Sequence, residues 1–314
     1  MPGLSKLKQI EELSVGVPIN NKSAKEIVQL TNLRELRLES MIDVTEASIQ
    51  ALGNLTALES LDIELPDLQV AQSTATDKSA IDSRRTSLFF LKKLKQLRSL
   101  SISDKAAISD EVLSSLQELP HLQTLEIAIP VQLTLSAVKK LEKLTSLQSL
   151  SLRSGRPRGD DSLPEEPLKV SEADLVKLSN TLNLKHFKYS LDDTQNGSDL
   201  DKFTNLEHLH IYGGDRTESA VPLRLNLSKD LQVLEFSYLH SLTDADLAKI
   251  AQHTGLKTLI LESCYGITDA GIAKLANLKT LTHLKVDYCN KVTPAAAKAL
   301  RAAMPHVQIK FAPE

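Results

Sequence analysis

The chain has 314 residues, 41% of them hydrophobic and 25% charged, a globular balance that argues against a disordered chain. A net charge of −3 supplies no basic field for nucleic acid or an anionic membrane, and no apolar run approaches the roughly 18–20 residues a bilayer span needs. Tryptophan is absent and aromatics are 4%, so the core has to be built from many similar aliphatic side chains.

The opening stretch MPGLSKLKQIEELS has no apolar segment of the kind a secretion signal carries. Two cysteines do not make a disulfide framework, so a reducing, cytoplasmic setting is expected. From Leu13 onward a frame of the form L-x-x-L-x-(aliphatic or aromatic) recurs along the whole chain. Its anchor falls at Leu13, Leu36, Leu61, Leu100, Leu125, Leu150, Phe187, Leu209, Leu234, Leu259, Leu284 and Ile309. Most steps are twenty-five residues, a sustained period of the length that repeat arrays use. Each frame predicts a short strand. In LQTLEIAI (122–129), Leu125 and Ile127 alternate with Glu126 and Ala128 and turn one apolar side inward.

After each strand come a polar turn and a capped amphipathic segment, as in ISDEVLSSLQEL, LTDADLAKIAQH and ITDAGIAKLANL. Ser109, Thr243 and Thr268 stand where an N-cap is wanted, with acids in the first turn behind them. Thr293–Pro294 adds proline at the first helical position. Insertions near 66–87 and 154–170 lengthen two of the steps, and both begin directly after a strand, so they leave the array from one edge. A lone unit of this kind cannot bury its leucines. Units therefore stack and share one core, which predicts a single domain over 1–314 of about twelve units. The first unit has no preceding turn over Ile10 and Leu13. An oligomer contact or a further domain is expected to cover it.

The stretch Leu259-x-Leu261-x-x-Cys264-x-x-Ile267-Thr268-Asp269-x-Gly271 resembles the cysteine-containing leucine-rich repeat of F-box substrate adaptors and bacterial repeat proteins. Leu284-x-Val286-x-x-Cys289-x-x-Val292-Thr293 repeats it, while the leucine frame alone spans the rest. The resemblance implies an α/β solenoid, a curved horseshoe with a parallel sheet on the concave face and helices on the convex face. It also implies a binding scaffold. Cys264 and Cys289 occupy one frame position in adjacent units and are expected to pack as small buried hydrophobes. A redox pair or half of a metal site are the alternatives weighed against that, and no C-x-x-C is present to support the second.

Strand positions flanking each inward leucine point outward, which lets the concave face be read residue by residue. Early units present Glu35, Arg37, Glu39, Asp62 and Glu64, and the fourth presents Ser99, Ser101 and Ser103. Later units present Arg153, His186, Lys188, His208, His210 and Tyr212, the candidate partner-binding set. His186 and His208 share a frame position on neighbouring strands, so their backbones are expected about 4.8 Å apart. The sequence offers no fixed carboxylate to orient these imidazoles, and an exposed groove would hydrate them.

The expected function is a protein–protein interaction scaffold that binds a protein ligand through the concave sheet and the loops of one edge, with no cofactor, nucleic acid or membrane. One alternative is the substrate-recognition module of a ubiquitin-ligase or secreted effector system. A distant one is a metal-dependent hydrolase at the histidine cluster. No P-loop, G-x-G-x-x-G, H-E-x-x-H or G-x-S-x-G is present, so no enzyme is expected.

Overall fold

The computed structural model describes residues 3–41, 44–64, 88–103, 110–129, 139–154, 172–191, 197, 200, 202–213 and 223–312. The chain divides into two compact units, Met1–Val170 and Ser171–Glu314. Each is built from short parallel strands in chain order, joined by turns and short helices, the architecture of a leucine-rich repeat solenoid. The insertions near 66–87 and 154–170 and the Ser109 cap fall outside the described residues, apart from Ser154 at a strand end.

The first unit holds β1 (Glu12–Val15), β2 (Glu35–Leu38), β3 (Ser60–Glu64), β4 (Ser99–Ser103), β5 (Thr124–Ile129) and β6 (Ser149–Ser154). Their register is the leucine frame itself: Leu13 pairs with Leu36, Leu36 with Leu61, Leu61 with Leu100, Leu100 with Leu125, and Leu125 with Leu150. The frame works because its apolar positions alternate on the strand. Leu61 and Ile63 are 1% and 0% exposed, while Asp62 between them is half-buried. Each enclosed leucine contributes roughly 1.5–3 kcal/mol of apolar burial. Before each strand, two successive N–H groups donate to one carbonyl of the preceding unit. Arg34 and Glu35 share Glu11 O, and Arg98 and Ser99 share Glu59 O. Both lone pairs of that oxygen are thereby used, and the unit-to-unit step is fixed. At the first strand Leu13 is only half-buried, and Leu7 and Val17 are exposed.

The second unit holds β7 (His186–Ser190), β8 (His208–Tyr212), β9 (Val233–Ser237), β10 (Thr258–Glu262), β11 (His283–Asp287) and β12 (Gln308–Ala312). Phe187, Leu209, Leu234, Leu259, Leu284 and Ile309 stand in one register row. The expected caps are in place. Thr243 closes a capping box with Asp246 on the helix Asp244–Ile250, and Thr268 and Thr293 accept from Ala270 N and Ala296 N.

The acid after each threonine has a second task. Asp244 accepts from both the N–H and the hydroxyl of Thr268, at 2.8 and 2.6 Å, and Asp269 does the same for Thr293, at 2.7 Å each. Each helix start is therefore tied to the next by a carboxylate held on two donors. A methyl group at Gly271 would run into the Asp244 carboxylate, which explains the glycine two residues after Asp269.

Cys264 and Cys289 are free and buried, 0% and 5% exposed. Each thiol faces a strand carbonyl of the unit before, Phe236 O at 3.8 Å and Leu261 O at 3.7 Å. The recurring cysteine is thus a small packing group with a weak donor, placed where the strand ladder ends. The thiol of Cys264 is held well above its usual range, by its hydrogen bond with Cys289 and by burial.

Candidate binding surface

On the open face of the second unit, the outward residues fall into three rows set by the register. The first begins His186, His208, Val233 and the second Lys188, His210, Glu235. The third runs Ser190, Tyr212, Ser237, Glu262 and Asp287. The strands hold these side chains in order because their inward leucines and phenylalanines are locked in the core.

His186 and His208 are register partners as expected, and their rings meet edge-on with centroids 5.9 Å apart. Burial first, and then the neighbouring His208, pushes the His186 imidazole below its ordinary 6.5. The feature that the sequence reading missed is Glu235. Its Oε1 lies 2.7 Å from His208 Nε2 and its Oε2 lies 3.5 Å from His210 Nδ1. The His208 contact is close but out of line with the ring N–H, so it is a short polar contact rather than an aligned hydrogen bond. The Glu235 carboxyl is held below the ordinary carboxylate range. The contact with His208 is the largest cause; burial opposes it, and the smaller fields of His210, His208 and Lys188 add to it. The expectation that no carboxylate orients these imidazoles is therefore overturned. Glu235 stands at the frame position of His210 on the next strand, so the anchor-plus-one spacing already carried the signal.

His210 also differs from the hydrated group expected. It is 7% exposed, with Tyr212 stacked on it at 3.9 Å and 26°. Its Nε2 lies 3.0 Å from Ser237 Oγ, and that hydroxyl donates to Glu262 Oε2 at 3.3 Å. With the serine proton committed to Glu262, Nε2 is the donor to Ser237. Nδ1 then faces the Glu235 carboxylate at 3.5 Å, so both ring nitrogens have a polar neighbour. The order Ser237–His210–Glu235 is that of a nucleophile, a base and an orienting acid. Ser237 is only 2% exposed, however, and its proton goes elsewhere. The contacts lock an imidazole in place and do not present a hydroxyl for attack. Among the described residues, no group of three or more His, Cys, Asp or Glu is arranged to hold a metal ion.

Of the remaining candidates, Lys188 is half-buried beside His210 in register. Arg153 takes its expected place on β6 opposite Ala128, in the first unit, and its side chain lies outside the description. The first unit's face matches its outward reading too. Arg37 sits between Glu39 and Asp62 at 3.1 and 3.4 Å, with Arg37 and Glu39 exposed and Asp62 half-buried, and Ser99, Ser101 and Ser103 are half-buried. Among the described residues no helix is long and apolar enough to cross a membrane.

No protein-family model matches the chain, and no curated protein matches it. Solved structures do. A leucine-rich repeat protein of Leptospira interrogans, LIC12759, aligns over 98% of this chain and 86% of its own at 17% identity and a TM-score of 0.34. A chain of the Rad7 and Elc1 complex in yeast aligns over 93% and 78% at 16% identity and 0.46. Internalin C2 of Listeria monocytogenes aligns over 95% and 99% at 19% identity and 0.36. The repeat architecture of the chain rests on its own register, and these likenesses say nothing of its ligand.

Proposed function

We propose that the chain is a protein–protein interaction scaffold that binds a protein ligand on the open face of its repeat sheet, with His186, Lys188, His208, His210 and Tyr212 in the contact on the second unit; Arg153, on the first unit, is proposed by itself as a partner contact. The observation that carries this reading is the ordered polar network on β8, β9 and β10, in which His208, His210, Glu235, Ser237 and Glu262 hold one another in place. A surface ordered before binding loses little side-chain entropy on binding, and this is how rigid repeat faces reach affinity without large area. The internal carboxylate changes the expected chemistry of the partner. Glu235 stands against the imidazoles, so the face offers a carboxylate, imidazoles and an aromatic surface rather than a bare cation patch.

Photo-crosslinking tests the reading. A diazirine side chain placed at Lys188, on the open face, should capture a defined protein from native lysate. The same group at Lys249, on the helix Asp244–Ile250, should not. Capture from Lys249 with none from Lys188 would move binding to the helical side and end the proposal.

A further inference from the structure

The tyrosines are not spread over the molecule. The chain has five, and all lie in the second unit. Tyr189 is enclosed in the core. The other four, Tyr212, Tyr238, Tyr265 and Tyr288, stand at or just past the C-terminal ends of β8, β9, β10 and β11. In a protein without tryptophan, this puts most of its amphipathic aromatic surface on one edge.

The local geometry gives that edge a definite form. Tyr238, Ser263 and Tyr288 follow the last strand residues of β9, β10 and β11 at equivalent positions, all left-handed, with φ of 56°, 52° and 53°. A bulky residue there is unusual, and such conformations persist where the surrounding structure holds them. Here the ladder does so: Tyr238 N donates to Glu262 O and Ser263 N to Asp287 O, both at 2.9 Å. The backbones of Tyr238 and Tyr288 are therefore two ladder steps apart, about 10 Å, with the small Ser263 between them. Tyr288 is 51% exposed and Tyr238 half-buried. Two residues further along the chain, His240 and Tyr265 stack at 4.5 Å and 17°.

The charges next to this edge have one dominant sign. Glu262 and Asp287 are the strand residues directly before Ser263 and Tyr288, and Glu235 lies in the adjoining row. Lys285 compensates Asp287, with its ammonium 2.6 Å from the carboxylate. Glu235 faces the imidazoles, and Glu262, which accepts from the Ser237 hydroxyl, also feels the field of Lys285.

We propose that this edge is a docking site for an arginine-bearing segment of a protein partner, with the guanidinium over Ser263, stacked against Tyr238 or Tyr288 and paired with Glu262. Arginine fits better than lysine because its planar cation stacks on aromatic faces and forks onto carboxylates, whereas an ammonium is a compact, strongly hydrated point charge. The proposal rests on the scaffold reading above and names the chemistry of the partner.

The test uses the intact chain and a random-sequence peptide display library. Selected peptides should be enriched in arginine. Their affinity can be followed by intrinsic tyrosine fluorescence, since four of the five tyrosines line this edge and no tryptophan masks them. The double variant Tyr238→Ser/Tyr288→Ser should bind at least about ten-fold more weakly. Serine is already accommodated in this conformation at Ser263, so the variant should fold, and its melting profile checks that. Glu262→Gln should weaken binding several-fold. Peptides that are acidic, proline-rich without a cation or indifferent to these substitutions overturn the proposal, as does a library that yields none. Capture from Lys188 alongside any of those results leaves the scaffold reading standing and removes only the arginine site.

Discussion

The two units are alike where they are buried and unlike where they meet solvent. In both, one leucine row runs through every strand, and the same shared-carbonyl step fixes unit upon unit. The open face of the first carries serines and loosely paired charges, as in Arg37 with Glu39 and Asp62, more than half exposed at the arginine. The second carries imidazoles, carboxylates and tyrosines in direct contact with one another. An identical frame can thus support an indifferent surface or an organised one, because the outward positions do not set the register. Binding chemistry collects where side chains hold each other.

This contrast can be tested by substitution. Leu100→Ala in the first unit and Leu259→Ala in the second should each destabilise the chain by roughly 2–5 kcal/mol, since both are 0% exposed. Denaturant titration measures this, and a loss under about half a kcal/mol at either would show that the two cores are not equivalent. Asp244→Ala removes both bonds to Thr268 and should cost about 1–2 kcal/mol. If it melts like the parent, the carboxylate tie between successive helix starts is ornamental.

On the open faces the effects should part. Ser237→Ala strips a partner from buried His210 and should cost about 1 kcal/mol. Arg37→Ala, in exposed ion pairs screened by water, should change stability by less than about half a kcal/mol. Equal losses would erase the distinction between the two surfaces.

The smallest effect expected is one of pH. His186 is depressed below 6.5, so the unfolded chain binds its proton more readily, and stability should fall as pH drops below that value. Glu235, depressed below 4.5, contributes stability that is present above that value and lost as pH falls through the folded one. His186→Gln should remove the upper part of this loss and leave the lower part. A stability profile that rises on acidification between pH 6.5 and 5 would contradict the His186 assignment, and one that rises below pH 4.5 would contradict that of Glu235.

The fold was legible because periodicity constrains it at every unit. Each anchor from Leu13 to Ile309 took its expected place, as did the caps Thr243, Thr268 and Thr293. The face was legible in composition and not in connection. His186 and His208 could be set side by side from the frame, but Glu235 was overlooked because each strand was read alone and not across the register. The left-handed tyrosines carry no local signal, since nothing about Tyr238 or Tyr288 favours positive φ and only the ladder imposes it. Cys264 and Cys289 are free and buried, as the packing reading expects, and each thiol faces a strand carbonyl of the preceding unit.

The central claim is that partner binding belongs to the open face and strand-end edge of the second unit. Hydroxyl-radical footprinting of the intact chain, with and without its crosslinked partner, tests it most directly, because tyrosine and histidine report oxidation well and both are concentrated there. The account predicts that Tyr212, Tyr288 and His208 are protected on binding, while Arg37 in the first unit and Lys249 on the helical side are unchanged. Protection at Lys249 or Arg37, with Tyr212, Tyr288 and His208 oxidised as in the free protein, would contradict it.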